Sequence, residues 1–372
     1  MKLNDASSLY IHIPFCERKC FYCSFVVVIA QDQKTGDYLE CLSEEMRLYK
    51  GTRLASVYLG GGTPTYLSAA QLEKLFKDIK KNFSFQTETE FTIEANPEGL
   101  TSETLEMIKD FGVNRLSLGV QTLSDRHLKY LGRCHDAKQA LDAFDLVRKK
   151  GFRNVNLDLM FSFPQQSLDE IKEDVRLITA LGSEHLSLYT LTIEENSRFY
   201  AAKIRLDERE ELSLQYLFVL DLLKQTPFRQ YEVSNFAKTG KESRHNLNYW
   251  KGGACIGLGV GAHSYWGGQR FWNVSRIDAY MSKIRQKESP VETREELSNE
   301  KRFMEILLIG LRMNTGVNVG DLQKQMNVFL PDDKRKKIDD FIEQGFFVWN
   351  NKNLIATDKG RLVLDELSGY LI

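Results

Sequence analysis

Six short segments in the first 235 residues contain alternating hydrophobic and polar positions, with helical patterns between them. The six predicted strands are residues 9–15, 56–61, 90–96, 115–121, 154–161 and 185–192. Helical spacing is clearest in one apolar set: Leu72, Leu75, Phe76, Ile79 and Phe83. Strands that alternate with helices predict a parallel sheet with right-handed crossovers.

Local sequence also marks several helix boundaries. Ser68 with Gln71, and Ser167 with Glu170, have the spacing of a capping box that opens a helix. Three glycines each lie three residues before a predicted strand and are expected to end helices: Gly112, Gly151 and Gly182. These signals support the repeated strand–helix order.

The predicted strands have a polar face as well as an apolar face. A parallel sheet covered by helices on both faces usually has strands that are apolar throughout. Residues 115–121 instead place serine, glycine and glutamine between apolar neighbours. Because helices follow the strands, a complete or partial barrel with a polar ligand in its lumen explains the pattern best. The predicted fold class is therefore α/β, with a partial (β/α)6 barrel similar to a TIM barrel.

The chain is predicted to have three parts, since 372 residues suffice for two or three domains. Residues 1–235 form the barrel. Residues 236–298 are rich in glycine, asparagine, histidine and aromatic residues, typical of loops and short strands that connect and cover a site. Residues 299–372 contain two helical patterns and a hairpin near 350–353, which predict a small winged-helix-like α+β domain.

Composition disfavours several classes of function. The formal net charge is -1, so no overall charge attracts nucleic acid or anionic lipid. The C-terminal domain is therefore expected to be structural or to bind a partner protein. No apolar run reaches the roughly 20 residues that span a bilayer, and the first ten residues lack the apolar core of a signal peptide. We expect a cytoplasmic protein without a transmembrane segment.

Three of the six cysteines lie close together in the sequence: Cys16, Cys20 and Cys23. In a reducing compartment such a group indicates metal binding rather than disulfides. The charged residues 17–19 argue against three unrelated core cysteines. The other cysteines are expected to have no ligand role, with Cys41 packed on a helix and with Cys134 and Cys255 in loops.

Three thiolates on one loop suit a [4Fe–4S] cluster, which has four irons. The thiolates hold three irons, and the fourth is open to a small-molecule ligand. A zinc ion is the alternative, but a structural zinc site needs a fourth protein ligand, for which His12 is a candidate. The sequence favours the cluster.

The C-x3-C-x2-C spacing after a strand, followed by GGGTP at 60–64, resembles the radical S-adenosylmethionine (SAM) superfamily. The resemblance implies a barrel of the radical SAM type, with the three cysteines on a [4Fe–4S] cluster. It further implies that the amino and carboxylate groups of SAM chelate the open iron. Electron transfer from the cluster then cleaves SAM to a 5′-deoxyadenosyl radical.

The SAM-contacting positions of the superfamily match nine residues of this chain: Tyr10, Tyr22, Gly61, Gly62, Thr63, Glu94, Gln121, Arg133 and Asp158. Glycines allow a backbone to approach a ligand closely. Glu94 suits a ribose hydroxyl, Gln121 suits a ribose hydroxyl or a carboxylate, and Arg133 suits the SAM carboxylate. Asp158 is a charge within a strand, which is costly unless it is paired or hydrogen-bonded.

Seven segments narrow the resemblance to one branch of the superfamily: YIHIPFC, GGGTP, EANP, SLGVQ, GRCH, NLDLMFSFPQQ and YEVSNFA. This branch contains oxygen-independent coproporphyrinogen III oxidase and the HemW family of heme chaperones. The oxidases have another cysteine two residues after the third, where this chain has Phe25. The oxidases also have a long segment before the first cysteine of the motif, whereas Cys16 lies very near the start of this chain. Both departures favour the HemW family.

The HemW family carries an HNxxYW motif linked to heme binding, and residues 245–250 match it with HNLNYW. On this resemblance, His245 offers its imidazole to heme iron. Tyr249 and Trp250 stack on the porphyrin or pack against its edge. His263 is a competing ligand, or by its position a contact to SAM.

One position departs from the family pattern. The family usually has glycine before an LPxQ-like run, whereas this chain has Ser162. If the backbone needs a positive φ there, Ser162 is strained. Because Asp158 is intact, we expect SAM binding to be retained.

The resemblance implies a chaperone that binds a [4Fe–4S] cluster, SAM and heme and delivers heme to an apo-cytochrome or a respiratory enzyme. A flavodoxin or ferredoxin is the expected electron donor, and no nucleic acid is expected. The alternative is an oxygen-independent coproporphyrinogen III oxidase, which removes carboxyl groups from propionate side chains by radical chemistry. The oxidase shares every SAM motif, so these motifs alone do not separate the two functions.

Overall fold

The computed structural model describes residues 7–371. Residues 1–6, part of the N-terminal stretch that is expected to lack a signal-peptide core, lie outside the described residues. The largest sheet contains strands β1 (Ser7–Ile13), β2 (Arg53–Gly61), β3 (Ser84–Ala95), β4 (Arg115–Gln121), β5 (Val155–Phe161), β6 (His185–Thr190), β7 (Arg229–Glu232), β8 (Asn235–Ala237), β9 (Cys255–Leu258), β10 (His263–Trp266), β11 (Gln269–Asn273) and β12 (Val291–Glu296). The helices up to residue 285 are α1 (Thr35–Arg47), α2 (Ala69–Asn82), α3 (Ser102–Asp110), α4 (Asp125–Leu131), α5 (Ala137–Lys149), α6 (Leu168–Ala180), α7 (Arg198–Ala201), α8 (Arg209–Lys224), α9 (Arg244–Trp250) and α10 (Ile277–Arg285).

The sheet has the parallel centre that the sequence predicts. Its strand order is β12-β11-β10-β9-β1-β2-β3-β4-β5-β6-β8-β7. Strands β1 to β6 pair in parallel in chain order, and β9 adds to β1 in parallel. The outer strands pair antiparallel. Within residues 7–371 the two ends of the sheet do not pair with each other, so the barrel is partial.

The six predicted strands are all present, and the predicted bounds of β4 agree with the structure. Strand β3 begins six residues earlier than predicted, because residues 84–89 are largely polar and exposed and show no apolar signal. Both predicted capping boxes open helices, at Ser68 before α2 and at Ser167 before α6. A third, at Asp136 before α5, was not predicted. The three glycines expected at helix ends all have positive φ.

The last part of the chain has its own apolar core, centred on Phe303, Leu307 and Leu354. Its helices are α11 (Asn299–Gly310), α12 (Val319–Met326), α13 (Asp332–Glu343), α14 (Asp358–Arg361) and α15 (Leu364–Leu371). A small antiparallel sheet contains β13 (Val317–Asn318), β14 (Phe347–Asn350) and β15 (Asn353–Ala356), in the order β13-β15-β14. The structure confirms the winged-helix-like unit. The prediction missed α12, which is short and buries only Val319 and Leu322. The boundaries 1–235, 236–298 and 299–372 stay predictions.

The scattered cysteines follow the sequence prediction with one exception. Cys41 is buried on α1, and Cys134 lies in the loop between α4 and α5. The expectation that Cys255 lies in a loop is wrong. It begins β9 and is buried, because the short apolar run CIGL pairs in parallel with β1.

The polar face of the strands lines a cavity of about 840 Å³. Its wall includes Ser117 and Gln121 of β4 and Asn156 and Asp158 of β5. Apolar residues of the same strands are buried in the large core. The cavity is therefore the polar lumen that strand alternation predicts. In the described part of the chain, no helix has the length and apolar character needed to cross a membrane.

Ser162 has the strained backbone that its place in the family pattern predicts. It follows β5 directly, has a φ of 63° and is buried, and its hydroxyl has no hydrogen-bond partner in residues 7–371. A residue with a Cβ in this left-handed region costs about 1–2 kcal/mol. Asp158 lies four residues earlier on the same strand, within the cavity wall.

We predict that Ser162→Gly raises the free energy of unfolding by up to about 1 kcal/mol, since glycine adopts positive φ without that strain. Ser162→Ala is the matched control, because it removes the unpaired hydroxyl and keeps the Cβ. In urea unfolding, the glycine variant should be the more stable of the two. A glycine variant less stable than the alanine variant would contradict this explanation.

Candidate functional site

The three clustered cysteines lie on one loop that follows β1. The loop is closed at its base, where Cys16 N–H donates to Val28 O at 3.1 Å and Val28 N–H donates to Pro14 O at 2.7 Å. Its middle is fixed to α4, since Phe21 N–H donates to Leu131 O at 2.9 Å. All three thiols are partly exposed and line the cavity. The loop therefore presents three sulfur atoms to one enclosed space.

A chain of polar contacts connects two of these thiols through the ends of neighbouring strands. Thr63 Oγ1 lies 3.4 Å from Cys16 Sγ and accepts a hydrogen bond from Asn96 Nδ2 at 2.9 Å. Asn96 Oδ1 accepts from Arg133 Nη2 at 2.8 Å, and Arg133 Nη1 donates to Cys20 Sγ at 3.4 Å. Arg133 also donates to Gly119 O at 3.0 Å. Donors directed at sulfur favour the thiolate that a metal cluster requires.

The thiols suit an iron–sulfur cluster better than the zinc alternative. Burial raises the pKa of Cys16 to about 11 and also raises the pKa of Cys23, so their thiolates need a positive charge nearby. His12, the candidate fourth zinc ligand, has both ring nitrogens bonded. Its Nε2 donates to Val26 O at 2.8 Å, and its Nδ1 accepts from Tyr10 at 3.0 Å. Three thiols on one loop beside a cavity therefore fit a cluster with one open iron.

Eight of the nine residues assigned to SAM line the cavity: Tyr22, Gly61, Gly62, Thr63, Glu94, Gln121, Arg133 and Asp158. Tyr10 is not part of this wall. Its hydroxyl binds His12, and its ring lies 6.2 Å from that of Tyr58. The structure thus brings together the residues from the ends of β2 to β5 and places Tyr10 outside the cavity wall.

The glycines of GGGTP bring two chain segments together. The amide of Gly62 donates to Ile13 O at 2.7 Å, and that of Thr63 donates to Phe15 O at 2.8 Å. A Cβ at Gly62 would lie 2.7 Å from Phe15 O. These amides are therefore bonded within the protein, and the glycines allow the cysteine loop to pack closely on β2.

Glu94 is held at the centre of the cavity by two donors. Tyr58 donates to its Oε1 at 2.7 Å, and the amide of Gly61 donates to its Oε2 at 3.1 Å. Burial raises the pKa of Glu94 to about 7, against the opposing effect of these hydrogen bonds. The carboxyl group can therefore change its protonation state near neutral pH.

Asp158 has the hydrogen bonds that a buried charge needs. Asn156 Nδ2 donates to its Oδ1 at 2.8 Å and to Ser117 Oγ at 2.7 Å. Burial raises the pKa of Asp158, and the bond from Asn156 opposes the rise. Asn156 Oδ1 in turn lies 2.6 Å from His185 Nδ1. Polar groups on β4, β5 and β6 are thus joined below the strand ends.

Gln121 shows a second strained backbone, with a φ of 69° at the end of β4. The pairing with β5 shifts its register between Leu118 and Gln121. A Cβ at Gly119 would lie 2.9 Å from the side-chain nitrogen of Gln121. The glycine and the irregular strand end together let the Gln121 side chain lie against the cavity wall.

His245 is buried rather than open to the cavity. Only 2% of the residue is exposed, and its ring packs 5.0 Å from the rings of Tyr58 and Tyr249. Its Nδ1 lies 3.0 Å from Ser56 Oγ, whereas Nε2 is buried without a partner in residues 7–371. Burial lowers the pKa of His245 to about 3, so the ring is neutral. Heme iron does not fit at Nε2 while α9 keeps this position.

The other residues of the proposed heme site are also engaged in the protein. Trp250 packs 5.1 Å from the guanidinium of Arg312, and the Tyr249 hydroxyl lies 3.3 Å from Cys255 Sγ. His263 is exposed on β10, and its ring stacks on Trp272 at 5.4 Å. Neither His245 nor His263 is among the residues that line the cavity.

The cavity residues that escaped prediction include Tyr58, Asn96 and Arg115. Asn96 lies within the EANP segment and joins Thr63 to Arg133, so that motif held a usable signal. Tyr58 alternates with buried apolar neighbours on β2 and faces Glu94. Arg115 is a charged residue at the start of an alternating strand, which could have marked it.

The chain is similar to several known proteins over most of its length. Residues 10–178 match the family described as "Radical SAM superfamily", and residues 297–363 match "HemN C-terminal domain". The protein named "Heme chaperone HemW" from Bacillus subtilis is 36% identical, covering 98% of this chain and 99% of that protein. Its namesake from Lactococcus lactis is 34% identical, covering 96% and 95%.

A solved structure is similar in fold. That of the coproporphyrinogen III oxidase HemN from Escherichia coli, described as a radical SAM enzyme, superposes with a TM-score of 0.87. It covers 99% of this chain and 90% of that protein, at 23% sequence identity. The similarity confirms the radical SAM fold predicted from the sequence.

Proposed function

We propose that this chain, which belongs to the HemW family of the radical SAM superfamily, is a heme chaperone. It would bind a [4Fe–4S] cluster, SAM and heme in the cytoplasm and deliver heme to an acceptor protein such as an apo-cytochrome or a respiratory enzyme. A flavodoxin or ferredoxin would supply electrons. One observation carries the first part: three partly exposed thiols on one loop face a cavity lined by most of the residues assigned to SAM.

The residues around the loop suit a cluster that SAM completes. Cys16, Cys20 and Cys23 would hold three irons, and the open iron would supply the binding site for the SAM amino acid group. The cluster, once reduced by the electron donor, would supply the electron for SAM cleavage. Thr63 and Arg133 would stabilise the sulfur ligands. Glu94 and Asp158 would lie near the ribose and the positive sulfur of SAM.

The neighbourhood of the loop supports the chaperone over the oxidase. Phe25, which is 64% exposed, lies on the cavity wall at the position where the oxidases have a further cysteine. It places an apolar ring there. The cavity also has Met160, Leu188 and Tyr189 on its wall beside charged groups. Such a mixed wall suits any amphiphilic tetrapyrrole, so it supports heme binding, whereas Phe25 is the residue that separates the two functions.

His245 remains the proposed iron ligand, on the condition that α9 moves. The unpaired Nε2 is an available acceptor, and the ring is neutral as a metal ligand must be. Movement of α9 away from β2 would separate His245 from Tyr58 and open Nε2 to the iron.

The function test begins with anaerobic reconstitution, quantitation of iron and sulfide, and titration with heme. Wild type should take up about four irons and bind heme, and it should transfer heme to an apo-cytochrome. His245→Ala should lose heme binding, whereas Ser56→Ala, which removes the Nδ1 partner and a hydrogen bond to Ser8 but leaves the imidazole, should retain it. His245→Gln guards against misfolding, since it leaves a smaller cavity.

Two results would contradict the chaperone assignment. One is conversion of coproporphyrinogen III to protoporphyrinogen IX by the reduced protein with SAM, since that is the oxidase reaction. The other is absence of heme binding by a wild-type protein that carries its full complement of iron. Equal heme binding by wild type and folded His245 variants would contradict only the ligand assignment.

We predict that SAM affinity weakens as the pH falls through about 7, because Glu94 must be ionised to accept hydrogen bonds from ribose. Between pH 8 and pH 6 the dissociation constant should rise about tenfold, the change expected when one group with this pKa is protonated. Calorimetric titration of SAM into the reconstituted protein at each pH measures this dissociation constant.

Two variants separate Glu94 from other titrating groups. Glu94→Gln should bind SAM more weakly and lose this pH dependence. Tyr58→Phe removes a hydrogen bond that holds the pKa of Glu94 down, so the midpoint should move to higher pH. An unchanged pH profile in Glu94→Gln would contradict the assignment.

A further inference from the structure

Arg115 lies at the floor of the cavity without a partner. It is the first residue of β4, only 2% of it is exposed, and it belongs to the cavity wall. Its Nε is buried without a hydrogen bond. Within residues 7–371, no carboxylate lies within the 4.0 Å that defines an ion pair with its guanidinium. The sequence placed this residue on a strand but gave it no role.

A buried guanidinium without a partner is costly, and other arginines with little exposure are paired. Arg133 bonds to Asn96 and Gly119. Arg148 pairs with Glu184 at 2.8 Å, and Arg302 pairs with Glu305. Arg115 differs from them, and the difference needs a physical explanation.

Nearby charges do not supply that explanation. Burial raises the pKa of Glu94 and of Asp158, and the charge of Arg115 opposes both rises. These carboxyl groups are thus close enough to interact with Arg115 but do not bond to it. Their oxygens accept hydrogen bonds from Tyr58, Gly61 and Asn156 instead. The donors of the Arg115 guanidinium remain free.

The position of Arg115 separates it from the cysteine loop. Arg115 and Gln121 are the two ends of β4, and six residues of strand span about 20 Å. A ligand held by the cysteines lies beyond the Gln121 end. Arg115 therefore meets a different ligand, or a distant part of a large one. Ser117 and Asn156 are the polar groups beside it on the cavity wall.

The chemistry of the free group indicates what it binds. A guanidinium presents parallel N–H donors that match a carboxylate in two-point contact. Neighbouring His185 and His245 are neutral, since burial lowers the pKa of both. Arg115 is thus a positively charged group on the cavity wall that an anionic ligand can reach.

We propose that Arg115 binds a propionate carboxylate of heme at the floor of the cavity. This inference rests on the proposed function, and it adds where in the cavity the heme lies. This contact orients the porphyrin with one carboxylate edge toward the amino ends of the strands. His245 lies at the same end, because Ser56, which is 3.0 Å from its Nδ1, belongs to the amino-terminal half of β2. The carboxylate of SAM has the same chemistry and is the other source to be tested.

The test measures heme affinity with and without its carboxylates. Hemin and hemin dimethyl ester are titrated into reconstituted wild type, Arg115→Gln, Arg115→Lys and Arg47→Gln, followed by Soret absorbance and fluorescence quenching. Arg47 is exposed on α1 and controls for loss of one positive charge. Arg115→Gln should weaken hemin binding by about tenfold to a hundredfold, as expected for a lost charged hydrogen bond.

Esterification of hemin and the Arg115→Gln substitution should remove the same interaction, the contact between the guanidinium and a propionate carboxylate. Wild type should bind the ester more weakly than hemin, Arg115→Gln should bind the two alike, and Arg115→Lys should fall between. SAM affinity should be unchanged in Arg115→Gln. The melting temperature of this variant should be equal to that of wild type or higher, because a buried guanidinium without hydrogen-bond partners costs the fold free energy.

Three results would overturn the inference. One is equal hemin affinity in wild type and Arg115→Gln. Another is a loss of SAM affinity without a loss of hemin affinity, which would assign the carboxylate to SAM. A lower melting temperature with unchanged ligand affinities would make Arg115 a structural residue. Failure of wild type itself to bind hemin would contradict the proposed function. That result is distinguishable from the three above, in which wild type binds hemin.

Discussion

The guanidinium of Arg133 fixes the geometry on which the rest of the site depends. It donates to Cys20, to Asn96 after β3 and to the carbonyl of Gly119 in β4. Asn96 continues the contact through Thr63 to Cys16. Because these partners lie in or directly after different strands, they hold the cysteine loop against this end of the barrel. The same contacts orient the thiols of Cys16 and Cys20, as a preorganised site requires.

Below this end, the lumen brings several charged groups together. Glu94 and Asp158 have raised pKa values because they are buried, and they accept hydrogen bonds from Tyr58 of β2 and from Asn156 of β5. Within residues 7–371, the Arg115 guanidinium has no such partner. Unsatisfied or strained groups of this kind are expected where a protein sacrifices stability for binding. Gln121 and Ser162, at the ends of β4 and β5, have strained backbones in the same region.

Much of this architecture could be predicted because its signals are local. Strand alternation gave the polar lumen, capping boxes at Ser68 and Ser167 gave helix starts, and cysteine spacing gave the loop. The partners of Arg133 and the isolation of Arg115 could not be predicted, since they depend on residues far apart in the chain. The burial of His245 depends in the same way on Tyr58 of β2, whereas Tyr249 is its neighbour on α9. A short apolar run likewise concealed that Cys255 begins a strand.

The central claim is that three cysteines hold a [4Fe–4S] cluster with one iron open to SAM. Electron paramagnetic resonance of the reduced, reconstituted protein tests it most directly, with spectra taken before and after SAM is added. We expect a cluster signal whose g values change when SAM binds. The signal should be lost when Cys16, Cys20 or Cys23 is replaced by alanine. An identical spectrum with and without saturating SAM would contradict it.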